Sequence, residues 1–140
     1  GLDSMRRAQP HLDWSAGGVS RAQLAALRGR VAAMGGRRCL LLCHHPLRHP
    51  PGFARRQRPR RADLALEVMG RLGIEAVLSG HLHVAARIAG RPEQVIAPTA
   101  LSPRRLGVPG GWVLLELDGG ALRATAREAT EAGYAGKLLG

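Results

Sequence analysis

The stretch VLSGHLHV, residues 77–84, decides the fold, because an apolar strand runs directly into a glycine and two histidines. A short apolar run bounded by a turn signal is typical of a strand buried in an α/β sheet. Gly80 has no Cβ and permits the sharp turn that lets His81 and His83 reach one point. Since ligands of open α/β sheets bind at the carboxyl ends of the strands, the stretch predicts a site here.

A second stretch, CLLLCHHP at residues 39–46, has the same form: an apolar strand that ends in His44 and His45. If the two strands are parallel neighbours, their histidines lie at the same end of the sheet and three imidazoles come together. Imidazole is a good ligand for Zn, Fe, Mn or Ni. The two stretches together therefore predict a metal site.

These motifs, with one helix between them, resemble the calcineurin-like metallophosphoesterases. The resemblance extends to GGVSRAQLAAL, residues 17–27, and to GWVLLELDGG, residues 111–120, so that it covers nearly the whole chain. It implies an α/β fold, half of a layered α/β/β/α sandwich, with a mixed sheet and a C-terminal antiparallel β run. It also implies that residues 1–140 form a single domain, the C-terminal part of a phosphoesterase domain.

The resemblance further implies two metal ions (Mn, Fe or Zn) and their ligands. His44 and His81 would bind one ion and His83 the other; His44 is chosen over its neighbour because the family's ligand lies two residues before the proline. His45 would lie near the substrate as the catalytic residue. The implied reaction is hydrolysis of a phosphomonoester or phosphodiester by a water activated between the two ions.

The chain departs from the family in its acidic and amide ligands. The D-x-H, G-D and G-N-H motifs of the family's N-terminal half are absent, since the sequence has no Asn and its four aspartates lie in no matching motif. We therefore expect the C-terminal half of an enzyme, whose partners are a phosphoester substrate and the N-terminal half of the domain. The alternative is a non-catalytic fragment that binds metal or serves as an interaction module.

Residues 45–61 predict a long loop rich in proline and arginine, which suggests a functional role. Guanidinium groups match phosphate oxygens in a bidentate way, and on that basis we assign Arg55 and Arg56 to substrate binding. The alternative is a solvated basic loop.

The formal charge of +11 raises the possibility of an anionic partner such as nucleic acid. Aromatic residues make up only 3% of the chain, too few for base-stacking platforms, and the richness in Arg, Ala and Gly is also typical of GC-rich coding. A basic nucleic-acid-binding module is thus the second alternative. No apolar run approaches the ~20 residues of a membrane helix and no signal peptide opens the chain, so we predict a cytoplasmic protein without a membrane partner.

Cys39 and Cys43 share one face of the predicted strand and lie ~13 Å apart, too far for a disulfide. We expect buried free thiols, with a structural zinc site that includes His44 and His45 as the alternative. His11 and His49 are expected at the surface.

The remaining pattern predicts two helices, at 20–34 and 62–73, and further strands. Ser20 and Gln23 form a capping box for the first helix, and a hairpin is predicted at residues 118–120. The last dozen residues are expected to fray.

Overall fold

The computed structural model describes residues 1–5, 14–102 and 107–140. After a short 3₁₀ turn at Trp14–Ala16, the elements are α1 (Arg21–Ala32), β1 (Leu40–Leu42), α2 (Ala62–Arg71), β2 (Ala76–Ser79), β3 (Ala86–Ile88), β4 (Glu93–Ile96), β5 (Gly111–Asp118), β6 (Ala121–Thr130) and β7 (Gly133–Leu138). Within these residues neither helix has the length and apolar character that crossing a bilayer would require.

The first sheet contains four strands in the order β1-β2-β4-β3. β1, β2 and β4 run parallel, and β3 pairs with β4 antiparallel. Leu42 is the register partner of Leu78, so β1 and β2 end side by side. This register brings the two histidine-bearing loops to one edge of the sheet.

The second sheet is antiparallel, with the order β5-β6-β7. The predicted hairpin is confirmed, since Asp118 pairs with Ala121 across a turn at Gly119 and Gly120, both at positive φ. The expectation that the last dozen residues fray is wrong, because residues 133–138 pair with β6 as β7.

Two apolar clusters lie on opposite faces of the first sheet. On one face, Leu27 of α1 and Met69 of α2 pack with Leu41 of β1. On the other face, residues of the first sheet such as Ala76 pack against buried residues of the second sheet such as Ala124. The chain therefore has helix, mixed-sheet and antiparallel-sheet layers, and the predicted α/β class is confirmed.

The first helix begins as predicted. The Ser20 side chain accepts the Gln23 N–H, and the Gln23 side chain accepts the Ser20 N–H. In the second helix, Leu64, Val68 and Leu72 have the spacing of one helical face, but they are only partly buried at the edge of the core. Its fully buried residues are Ala62, Ala65, Leu66 and Met69, because small alanines let the helix lie close to the sheet.

The prediction that β1 is buried on both faces is only half correct. Leu41 is 5% exposed on the helix side, together with Cys39 and Cys43, which are free thiols as expected. Leu42, on the opposite face, is 61% exposed. It borders an open apolar concavity beside Leu78, so the second sheet covers this end of the first sheet incompletely.

Candidate metal centre

The backbone between β1 and β2 continues to pair past the last strand residues. The Cys43 N–H donates to the Leu78 carbonyl at 3.0 Å, and the Gly80 N–H donates to the His44 carbonyl at 3.1 Å. These bonds fix the main chain of His44 beside that of Gly80. The histidines that follow the two strands consequently begin from neighbouring points on a rigid sheet edge.

His81 and His83 both adopt left-handed backbone conformations, with φ of 66° and 59°. The Leu82 N–H donates back to the Gly80 carbonyl at 2.7 Å, which closes a tight turn around His81. Leu82, 1% exposed, anchors the turn in the protein interior. Non-glycine residues at positive φ are uncommon and cluster at functional sites, where packing holds a strained backbone in place.

Three imidazoles meet at this edge: those of His44, His45 and His81. The ring centroids of His45 and His81 are 4.4 Å apart, those of His44 and His45 are 4.8 Å apart, and those of His44 and His81 are 5.2 Å apart. One nitrogen from each ring lies within 4.8 Å of the others. The predicted convergence of His44 and His81 is thus present, whereas His83 lies outside this group and His45 lies within it.

His45 is held in the interior at 2% exposure. Its Nδ1 lies 2.9 Å from the Ser4 hydroxyl, and its backbone N–H donates to the same hydroxyl oxygen at 3.2 Å. A Cβ added at Gly17 would lie 2.5 Å from Nδ1, so only a glycine fits against this ring. No sequence motif indicates that residues 4 and 17, far from His45 in the chain, support this histidine.

The pKa of His45 is lowered to about 4, first by burial and then by the nearby imidazoles of His81 and His44. Burial also lowers the pKa of His81, with His44 and Arg56 as the next contributors. Both rings are therefore neutral at pH 7, the form in which an imidazole binds a metal ion.

The three rings match a metal ion in donor type, and one nitrogen from each lies within 4.8 Å of the others, a wider spacing than a bound ion requires. Zn–N bonds of about 2.0–2.1 Å place two imidazole nitrogens of one tetrahedral site roughly 3.3 Å apart. Because His44 is exposed, its side chain can rotate and bring its ring nitrogen closer to those of His45 and His81. Among the residues that the structure describes, no carboxylate joins the group, so its donors are imidazole nitrogens.

The alternative of a zinc site with the cysteines finds no support in the described residues, because neither thiol belongs to the group. The Cys43 thiol donates to the His45 carbonyl at 3.3 Å. Burial raises the pKa of Cys43, which disfavours the thiolate that zinc requires.

A cleft of about 310 Å³ opens beside the imidazoles. Its lining includes His45 and His81, together with Arg55 and Arg56 of the predicted loop. The structure thus brings both predicted substrate-binding arginines to the cavity that the histidines border.

His49, which we expected at the surface, also lines this cleft and is only partly exposed. Its Nδ1–H donates to the Phe53 carbonyl at 3.2 Å, and burial lowers its pKa. The only hint in the sequence was its position four residues after His45 in a loop of unusual length. His11 lies outside the described residues.

The sequence matches no family model and no curated protein. Solved structures do resemble it. GAP50, the anchor in the inner membrane complex of Plasmodium, matches at 12% identity with a TM-score of 0.66, over 98% of this chain and 47% of that chain. A dimetal phosphatase from Danio rerio matches at 15% identity with a TM-score of 0.62, over 98% of this chain and 45% of that chain.

The chain spans less than half the length of the two structures it resembles. At 12–15% identity the likeness shows the fold, and that fold is the one found in a dimetal phosphatase. The predicted α/β fold, with a mixed sheet and a C-terminal antiparallel β run, is confirmed at that level.

Proposed function

We propose that this chain is the C-terminal part of a metal-dependent phosphoesterase domain and carries the histidine side of a dinuclear metal site. One observation carries the proposal: His44, His45 and His81 converge at the carboxyl ends of two adjacent parallel strands. The same fold occurs in a dimetal phosphatase. Function is inferred from the site, with the fold as supporting analogy.

We assign His44 and His81 to one ion and His83 to the second. His44 and His81 follow adjacent strands and their rings are 5.2 Å apart, which favours a shared ligand role. His83 leaves the same turn as His81, two residues later and also at positive φ. When bound, the ions, of which Mn, Fe and Zn are candidates, would polarise a phosphoryl group and lower the pKa of a water ligand.

His45 is assigned to the reacting phosphoryl group as the catalytic residue. Its ring borders the cleft, while Ser4 holds Nδ1 and fixes the ring's orientation. A neutral, buried imidazole can transfer a proton to or from a phosphoryl oxygen, or can form a hydrogen bond with it. It does so without first losing a strong hydration shell.

Arg55 and Arg56 are assigned to the substrate. Both are exposed and line the same cleft as His45 and His81. Two guanidinium groups on one long loop can bind the oxygens of a single phosphate group, whether the substrate is a monoester or a diester.

The acidic ligands of the site are assigned to polypeptide outside these 140 residues. Three neutral imidazoles leave the charge of two ions uncompensated, and carboxylates normally supply that charge. This sequence matches 45% of the dimetal phosphatase chain, so more than half of that chain lies outside the match. The uncovered apolar face around Leu42 and Leu78 suits contact with such a segment.

A second candidate is a non-catalytic metal-binding or interaction module. It is favoured by the absence of carboxylates from the histidine group in the described residues, and by the likeness to a protein whose name describes an anchor. Such a module would keep the fold and the histidines without turning over a phosphoester.

One experiment separates the two candidates. Hydrolysis of p-nitrophenyl phosphate and bis-p-nitrophenyl phosphate is measured with and without Mn²⁺, on the 140-residue chain and on the same chain extended by its natural upstream sequence. We expect little turnover by the 140 residues and metal-dependent turnover by the extended protein, lost in His81→Ala. Metal binding with no turnover by the extended protein would favour the second candidate.

A further inference from the structure

Gln94, on β4, is a polar residue with no exposed surface. Its side-chain oxygen accepts the Leu47 N–H at 2.7 Å and the Arg48 N–H at 3.0 Å. Its side-chain nitrogen donates to the Arg48 carbonyl at 2.6 Å. Two N–H groups on one side and a carbonyl on the other fix the orientation of the amide.

Leu47 and Arg48 belong to the loop after β1 and have no strand partner. Arg58 donates to the Leu47 carbonyl at 3.3 Å, so all four backbone polar groups of the dipeptide have side-chain partners. The Arg48 guanidinium donates to the Pro92 carbonyl at 2.7 Å, which ties the same point to the start of β4. Buried backbone groups without such partners would destabilise the loop.

This dipeptide lies between His45 and His49, both of which line the cleft. The His45 ring is fixed on its other side by Ser4, and the His49 ring by the Phe53 carbonyl. Any shift of residues 47 and 48 would therefore move both imidazoles relative to His81 on the neighbouring strand.

We infer that Gln94 is a positioning residue, which acts through the Leu47-Arg48 backbone to hold His45 and His49 toward the cleft. The inference adds a residue that supports the proposed metal site. Only the expected change in metal binding rests on the proposed function. The Gln94 amide bonds to the Leu47 and Arg48 backbone, so Gln94 is not assigned a catalytic role.

Two measurements on the intact chain need no ligand. In the wild-type protein, hydrogen exchange of the Leu47 and Arg48 amides should be slower by about tenfold or more than that of the exposed Gly52 amide. In Gln94→Met, which keeps side-chain length but not the hydrogen bonds, the ring signals of His45 and His49 in ¹⁵N-histidine spectra should shift or broaden. Leu122→Ala is the control, because it truncates a core residue of the other apolar cluster.

A Zn²⁺ titration then connects the residue to the site. His45 belongs to the converging histidine group, so its displacement should weaken Zn²⁺ binding. Loss of a residue that supports such a group typically costs about 10–100-fold in affinity, and we expect that range for Gln94→Met and little change for Leu122→Ala. Wild-type amides at 47 and 48 that exchange as fast as Gly52, or ring signals that change equally in both variants, would overturn the inference. If the wild-type chain binds no Zn²⁺, the proposed function fails, while exchange and ring signals still decide the role of Gln94.

Discussion

Ser4 and His45, 41 residues apart in the chain, are joined by two contacts to one hydroxyl oxygen: 2.9 Å to Nδ1 and 3.2 Å to the backbone nitrogen. Both residues are buried, at 1% and 2% exposure. The N-terminal segment thereby supports a histidine that the motif alone places at the end of a strand.

Ser4→Ala should therefore destabilise the protein and release the His45 ring. A buried donor or acceptor left without its partner costs about 1–3 kcal/mol, so the free energy of unfolding in urea should fall by that amount. Ser79→Ala is the comparison, since its buried hydroxyl makes one longer contact, 3.4 Å to the Val95 carbonyl. Equal, small losses in both variants would contradict the role given to Ser4.

The depressed pKa of His45 predicts a pH-dependent stability in metal-free protein. Its pKa is about 4 in the folded state and about 6.5 in the unfolded state, so the unfolded chain binds more protons between these values. Stability is therefore full above pH 6.5 and falls as the pH drops toward 4, by up to about 3 kcal/mol. Urea unfolding in EDTA measures it.

His45→Gln tests that assignment, because it removes the titrating group but keeps a polar side chain. The slope of unfolding free energy against pH between 4 and 6.5 should become shallower in this variant. An unchanged slope would show that other groups, and not His45, carry the pH dependence.

The left-handed backbone of His81 predicts different stabilities for two variants that both remove the ring. His81→Gly relieves the strain of positive φ, whereas His81→Ala keeps it; the glycine variant should be more stable by up to about 1–2 kcal/mol. Both should lose metal binding to the same extent. If the alanine variant is the more stable, the turn does not store the strain inferred from its φ.

Arg55 and Arg56 should affect substrate binding more than the chemical step. In the extended protein, Arg55→Gln/Arg56→Gln should raise KM for a phosphoester by about tenfold or more, with a smaller change in kcat, because guanidinium contacts bind the ground state as well. Arg28→Gln/Arg30→Gln, two exposed arginines on α1, is the matched control. Equal effects from both pairs would indicate general electrostatic attraction by the +11 chain.

Much of the site edge could be predicted from local sequence. The strand before Gly80 and the strand before His44 were both recognised by apolar runs that end in histidines, and parallel pairing then placed them together. The apolar runs and turn signals that mark each strand are local in sequence, which is why this part of the prediction succeeded.

Features that depend on packing at a distance could not be predicted in the same way. The burial of His45 depends on Ser4 and Gly17, and the placement of the loop depends on Gln94, none of which belongs to a histidine motif. The exposure of Leu42 likewise depends on how far the second sheet extends over the first, which strand periodicity does not specify.

The most direct test of the central claim is a Zn²⁺ titration of the 140-residue chain by calorimetry, with His44→Ala, His81→Ala and Cys39→Ala compared with wild type. The account predicts measurable wild-type binding, at least about tenfold weaker in each histidine variant and unchanged in Cys39→Ala. Binding that survives loss of both His44 and His81, or that is lost with Cys39, would contradict a metal centre at the ends of β1 and β2.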